Sequence, residues 1–180
     1  MTRFIFILLF ILLPFEIHAK AASAIKELEK NGGIISPTSD GGLRIEFQLS
    51  GRDLNDEGLE PIKSLERVKI LNLRDTKITN AGIIHIEGMK DLKRLHLERT
   101  QIDDTCIDYL TGLQELEYLN LYSTKVSDLG LSKLKNLKKL RKLYLWQTKV
   151  TDGGVKQLEA ALPDLKIIRG VDLDKIVPVK

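Results

Sequence analysis

Cys106 is the only cysteine in this sequence, so no disulfide can form within the chain and the fold must rest on its apolar core. Aromatic residues are scarce at 6%. Beyond residue 21 they are Phe47, Tyr109, Tyr118, Tyr122, Tyr144 and Trp146. Neither sign of charge dominates: Lys and Arg number 28 and Asp and Glu 25, a net of +3. That margin is too small to imply nucleic acid as a partner. No apolar stretch approaches the roughly 20 residues that span a bilayer as a helix. The sequence holds no G-x-S-x-G, no glycine-rich phosphate loop and no paired-carboxylate pattern, so hydrolase and kinase chemistry have nothing to rest on. A length of 180 residues suits one globular unit.

What is present begins with a distinct leader. Thr2 and Arg3 precede the apolar run Phe4 to Phe15, followed by the small residues of "EIHAKAAS", the pattern of a secretory signal peptide over residues 1–21. Ala19 and Ala21 are the candidate cleavage positions, the second giving Ala19-Lys20-Ala21 as an A-x-A site. Removal of Arg3, Glu16 and Lys20 takes the net charge from +3 to +2. An uncleaved N-terminus tethering a membrane-bound scaffold is the alternative, disfavoured by Pro14 and the shortness of the run. With no cysteine just after the run, a lipid anchor is not expected. The expected location is periplasmic or extracellular.

The rest of the chain is dominated by a repeat. "LNL" at Leu71, "LHL" at Leu95, "LNL" at Leu119 and "LYL" at Leu143 recur at 24-residue steps, and "FQL" at Phe47 extends the series back. Five units align without gaps as 44–67, 68–91, 92–115, 116–139 and 140–163. Each strand is followed by Arg52, Thr76, Thr100, Thr124 or Thr148, whose hydroxyls are suited to bonding the backbone where the chain turns. Leu54, Ile78, Ile102, Val126 and Val150 come two residues later and are expected in the core. Asp56, Asn80, Asp104, Asp128 and Asp152 then form a column of expected helix N-caps, with Gly58, Gly82, Cys106, Gly130 and Gly154 two positions on. Apolar residues at helical spacing, such as Leu131, Leu134 and Leu137, lead into the next strand. A single strand-turn-helix unit cannot bury its own apolar face, whereas a stack of them can.

These residues resemble the leucine-rich repeat family: "LKRLHLERTQIDD" and "LEYLNLYSTKVSD" fit its L-x-x-L-x-L-x-x-[N/C/T]-x-[I/V/L] pattern. The tail "T-x-[I/V]-[T/S]-D-x-G-[L/V]" is similar to that of small exported bacterial repeat proteins and of the arrays in F-box proteins, although no F-box segment precedes the array here. The resemblance implies an α/β fold: a leucine-rich repeat solenoid, curved and right-handed, with strand-turn-short helix units and a parallel concave sheet. It is specific for fold and not for function.

Both ends depart from the repeat, as solenoid caps must. Ala24, Ile25 and Leu28 form one helical stripe within Ser23 to Asn31, "NGG" stops the helix and "IIS" follows as a strand, giving an N-terminal helix-strand cap over 22–43. The array spans 44–169. At its end "LPDLKIIRG" shifts by one residue, with Leu165 and Ile168 expected in the places of Leu140 and Leu143, and Arg169 closing the series. Residues 170–180 form a tail expected to be partly ordered at best.

Catalytic or metal-binding constellations are hard to assemble. Cys106 lies in the small-residue column at a helix start, which suits a packed thiol better than a nucleophile. His85 and His96 have no ligand partners at metal-site spacing. Asp103, Asp104 and Asp108 in "IDDTCID" lack calcium-loop spacing. No cofactor or metal is expected, and the chain is expected not to be an enzyme. The basic run Lys133 to Lys142 suits a solvated helix face, with attraction to an acidic partner as the alternative.

The sheet surface is the better candidate. In the fold the resemblance implies, the residues around the strand leucines project from the concave side. The first column is Glu46, Ile70, Arg94, Tyr118, Lys142; the second Gln48, Asn72, His96, Asn120, Tyr144; the third Ser50, Arg74, Glu98, Tyr122, Trp146. Tyr118, Tyr122, Tyr144 and Trp146 thus share one face. They either pack across strands or anchor a partner. The favoured expectation is recognition of a protein or peptide, with these four as anchors and Arg94, His96, Arg99 and Lys142 as a basic flank. A glycan of the cell wall is the alternative ligand.

Overall fold

The computed structural model describes residues 15–47 and 49–170. Helix α1 (Phe15–Lys30) leads into the antiparallel pair β1 (Ile34–Pro37) and β2 (Leu43–Glu46). Five further strands follow: β3 (Val68–Asn72), β4 (Arg94–His96), β5 (Tyr118–Asn120), β6 (Lys142–Tyr144) and β7 (Lys166–Ile168). All seven form one sheet in sequential order, and every pair after the first is parallel. Between strands run the short helices α2 (Asp56–Leu59), α3 (Asn80–Ile83), α4 (Cys106–Leu110), α5 (Asp128–Lys133) and α6 (Asp152–Ala161). The leader run Phe4 to Phe15 lies outside the described residues except for Phe15, and Val171 to Lys180 lie outside them too. Among the described residues no helix is long and apolar enough to cross a membrane.

From β3 to β7 each parallel pair is offset by 24 residues, as in Leu71↔Leu95, Leu95↔Leu119 and Leu119↔Leu143. That register places the repeated leucines in one buried stack with Ile78, Ile102, Leu134 and their equivalents. Burial of a Leu or Ile side chain stabilises by about 1.5–3 kcal/mol, and contact between units lets each contribute to one continuous core.

The threonine column does what its position suggests. Thr76, Thr100, Thr124 and Thr148 donate their hydroxyls to Leu73, Leu97, Leu121 and Leu145 carbonyls at 2.6, 2.7, 2.7 and 2.7 Å. The residue before each threonine, Asp75, Arg99, Ser123 or Gln147, has a positive φ of 54° to 59°. This left-handed residue ends the strand, yet the Asp75, Arg99 and Ser123 N–H groups still donate to the next unit, at 2.9 Å each. The sheet ladder thereby continues past the strands, which offsets the backbone cost of the conformation.

The acidic column is not the N-cap column. Asn55, Thr79, Ser127 and Thr151, one residue earlier, have extended backbones and cap their own helices. Asp56, Asp128 and Asp152 occupy the first helical position, and Asp104 lies in the turn two residues before α4; Asp56, Asp104 and Asp128 reach into the next unit. Asp56 accepts from the Thr79 N–H and hydroxyl at 2.8 and 2.6 Å. Asp104 does the same with Ser127 at 2.7 and 2.6 Å, and Asp128 with Thr151 at 2.8 and 2.7 Å. These bonds staple successive units together. They also explain the glycines: a Cβ on Gly82, Gly130 or Gly154 would stand 2.4, 2.5 or 2.2 Å from the stapling carboxylate. The one exception is consistent. Asp103 occupies the hydroxyl position in its unit and has no hydroxyl to donate. Asn80 supplies the donor instead, its amide bonding Asp103 at 2.7 Å while its carbonyl accepts the Asp103 N–H at 3.0 Å. That is the unit in which Cys106 replaces glycine.

Three end effects differ from expectation. Helix α1 begins at Phe15, upstream of Ser23, because the alanine-rich "AKAASA" contains no breaker. Ile45, not Phe47, stands opposite Leu71. The turn after β2 is larger than in other units and seats Gly51 and Ser50 against the end of α1, with the Ser50 hydroxyl donating to the Gly32 carbonyl at 3.0 Å. Leu49, expected inside, is 74% exposed. At the other end Leu165 is buried, but Ile167, not Ile168, pairs with Leu143. The longer α6 moves the helix side by one residue, and the sheet keeps its 24-residue step.

Candidate functional site

The open face of the sheet carries two aromatic ladders. In one, Tyr118 lies 5.4 Å from Tyr144 and 4.7 Å from His96, ring centre to ring centre, and the Arg94 guanidinium sits over the Tyr118 ring at 4.4 Å. In the other, Tyr122 and Trp146 stack at 5.3 Å with planes 22° apart, and the Arg99 guanidinium covers Tyr122 at 5.3 Å. Contacts of this kind are each worth about 0.5–1.5 kcal/mol. Packing and recognition are therefore not exclusive. The cross-strand contacts hold the rings in place, and Trp146 remains 51% exposed.

A polar layer lies beneath. Asn72 and Asn120 are buried, and their side-chain carbonyls accept the Arg74 and Tyr122 N–H groups at 3.1 and 3.0 Å. Glu98 is also buried. Its Oε1 accepts from the Asn120 amide at 2.6 Å and lies 3.1 Å from His96 Nδ1, while Oε2 has no hydrogen-bond partner among the described residues. His96 thus belongs to the support of Tyr118 as much as to the surface. Burial raises the Tyr118 pKa, so its phenol stays neutral and able to donate.

The sequence-selected residues come together in this region with different remaining capacity. Arg94 and Lys142 are exposed and make no salt bridge among the described residues. Arg99 is held by Asp75 at 3.2 Å, and Arg74 binds the same carboxylate at 3.1 Å. Burial pushes the Asp75 carboxyl up, but the two arginines outweigh it and hold the pKa below the ordinary range. Two residues of this face escaped sequence reasoning, Arg44 and Lys166, because both depend on the end registers corrected above. The alternation of apolar and charged residues in Leu43-Arg44-Ile45-Glu46 was the available signal for Arg44, since it reads as a half-buried strand ahead of "FQL".

The other candidates disperse. Asp103 bonds Asn80, Asp104 bonds Ser127, and Asp108 pairs with Lys133 at 2.7 Å. Among the described residues no group of three potential ligands gathers. Cys106 is fully buried, and burial followed by Asp103 and Asp104 pushes its thiol far above the ordinary value, the opposite of an activated nucleophile. In the basic run Lys139 pairs with Glu115 at 2.6 Å, as Lys133 does with Asp108.

Residues 90–150 match the family model for the leucine rich repeat. The array is a leucine-rich repeat solenoid. Among solved structures, this chain resembles internalin C2 of Listeria monocytogenes at 26% identity over 63% of this chain and 59% of that one, with a TM-score of 0.47. An internalin (inlF) of the same organism gives 24% identity over 67% and 38%, TM-score 0.48. The leucine-rich repeat ectodomain of the receptor kinase SOBIR1 from Arabidopsis thaliana gives 18% identity over 84% and 91%, TM-score 0.49. The chain thus spans 59% and 38% of the two internalin structures. No curated protein matches it. Leucine-rich repeat domains are in general protein-recognition scaffolds and typically non-catalytic.

Proposed function

We propose that this is an exported, non-catalytic recognition module that binds a protein or peptide through the open, concave face of its sheet. The observation that carries this reading is the stacked Tyr122–Trp146 pair, pre-positioned by packing while Trp146 stays 51% exposed. Gly170, at a φ of +87°, lies so close to the indole that a Cβ there would be 2.7 Å from it. The ring therefore loses little freedom on binding, and rigid aromatic anchors of this type contribute about 2 kcal/mol or more at interface centres. Export rests on the leader sequence. The burial of Ala21 in the core at 6% exposure supports cleavage after Ala19 over cleavage after Ala21.

The test is affinity capture from the source cell envelope and its surroundings, comparing the chain with a Tyr122→Ala, Trp146→Ala double variant. Loss of a specific partner with unchanged circular dichroism is the expected result; equal capture by both refutes the reading. A glycan ligand is the second reading, favoured by the exposed indole beside Tyr122. Saturable quenching of Trp146 fluorescence by cell-wall oligosaccharides at millimolar concentration would support it, and a flat titration would remove it.

A further inference from the structure

The side chains that open each strand on the exposed face form one row across the sheet: Arg44, Ile70, Arg94, Tyr118, Lys142 and Lys166, each paired with the next. Its four cations are exposed and make no salt bridge among the described residues. Basic residues beside the row are already neutralised, Lys69 by Asp91 at 2.6 Å and Lys93 by Asp40 at 3.6 Å. The row itself contains no acidic residue. Glu46 lies on the neighbouring row, and Glu117 flanks Tyr118. From Arg44 to Lys142 the surface therefore alternates free positive charge with an apolar or aromatic side chain, at the spacing of the strands, and Lys166 adds a second cation at the far end.

That spacing selects a ligand. Adjacent strands lie about 4.8 Å apart, so Arg44, Arg94 and Lys142, each two strands from the next, recur about every 9.6 Å. A polyproline II helix has three residues per turn and about 3.1 Å rise, so one of its faces repeats about every 9.3 Å. Over the three cations the two spacings differ by only about 0.6 Å. An extended β-strand presents same-face residues about every 6.8 Å and falls out of step at once. Other features suit such a ligand. Arg94 is braced over Tyr118 at 4.4 Å, which leaves its N–H edge for a carboxylate. A cavity of about 630 Å³ lies at the Arg44 end, with Ile70 and Arg94 in its lining and residues 36–40 forming one wall.

Resting on the recognition role proposed above, we infer that this row is a groove for an acidic polyproline II segment of a protein partner, with a carboxylate at every third residue. The carboxylates meet Arg44, Arg94 and Lys142, and the residues between them, prolines included, pack on Ile70 and Tyr118. The ligand runs across the strands, along the axis of repeat stacking.

The test is titration calorimetry of the full chain with two acetylated, amidated peptides of identical composition. In EPPEPPEPPE the glutamates share one polyproline II face; in EEPPPPPPEE no two of them lie three or six residues apart, so no two can meet the cations of the row together. The first is expected to bind roughly tenfold tighter, as two or three misplaced surface ion pairs imply. Its affinity should fall with added salt and be lost in an Arg94→Glu, Lys142→Glu variant of unchanged circular dichroism. Equal affinities, indifference to the charge reversal, or tighter binding of polygalacturonate than of either peptide would overturn the inference. If neither peptide binds while partner capture still requires Tyr122 and Trp146, the recognition role stands and the groove assignment falls.

Discussion

The staple between units predicts an energetic coupling that neither residue alone would reveal. Asp104 accepts three hydrogen bonds from the next unit: the Ser127 N–H at 2.7 Å, the Ser127 hydroxyl at 2.6 Å and the Gly130 N–H at 3.1 Å. Replacing it with alanine leaves these partly buried donors without their acceptor, a loss of about 2–3 kcal/mol once partial rescue by water is allowed for. Gly130→Ala places a Cβ 2.5 Å from the same carboxylate oxygen. The gain in helix propensity, about 1 kcal/mol, is outweighed by displacement of the staple, so the variant is expected to lose about 1–2 kcal/mol. In the Asp104→Ala background that clash is gone, and Gly130→Ala should then be near neutral. The double variant is thus expected to be more stable than the sum of the singles predicts, by about 1–2 kcal/mol. Urea unfolding followed by circular dichroism measures all four chains. Additivity within about 0.5 kcal/mol would refute the explanation of the aspartate and glycine columns.

Two further outcomes follow from the same geometry. The Cys106 thiol is buried with its pKa pushed up, so modification by a thiol-specific disulfide reagent should be slow in native buffer and accelerate with urea; rapid native labelling would contradict its place in the core. Asp128 is held below the ordinary carboxylate value by the Thr151 hydroxyl and backbone N–H, and Asp103 by the Thr105 N–H and then the Asn80 amide. In the folded state these groups bind protons less readily than in the unfolded chain. Their contribution is therefore complete above the unfolded pKa of about 3.9 and is lost as pH falls through the lower folded values. Asp128→Asn should flatten the acid limb of a stability-versus-pH curve, and superimposable limbs would count against the staple as an ionised acceptor.

Much of this fold was legible because its signal is repeated. The strand leucines, the threonine ladder and the buried Ile78, Ile102 and Val126 column follow from period and polarity alone. The aspartate column was misassigned for a physical reason: Thr79 and Asn80, or Ser127 and Asp128, are both capping residue types, and which one caps depends on a partner 23 residues away. The glycine two positions after each aspartate, and its absence where Asn80 and Asp103 exchange roles, held the missing information. At the ends, "FQL" imitates the strand motif, and the enlarged turn that seats Gly51 on α1 moves the pairing to Ile45. Those end registers hid Arg44 and Lys166. The aromatic face itself was visible, but its buried support by Glu98 and Asn120 was not, since the distinction lies in burial rather than residue type.

The central claim is that a partner covers the open face over Tyr122 and Trp146. Hydroxyl-radical footprinting of the chain, alone and with its captured partner, addresses this residue by residue. Strong protection of Trp146, Tyr122 and Tyr118, with the helical-side Tyr109 unchanged, is the result predicted. Unchanged oxidation of Trp146 together with protection of Tyr109 would place the partner on the opposite side of the solenoid and contradict the account.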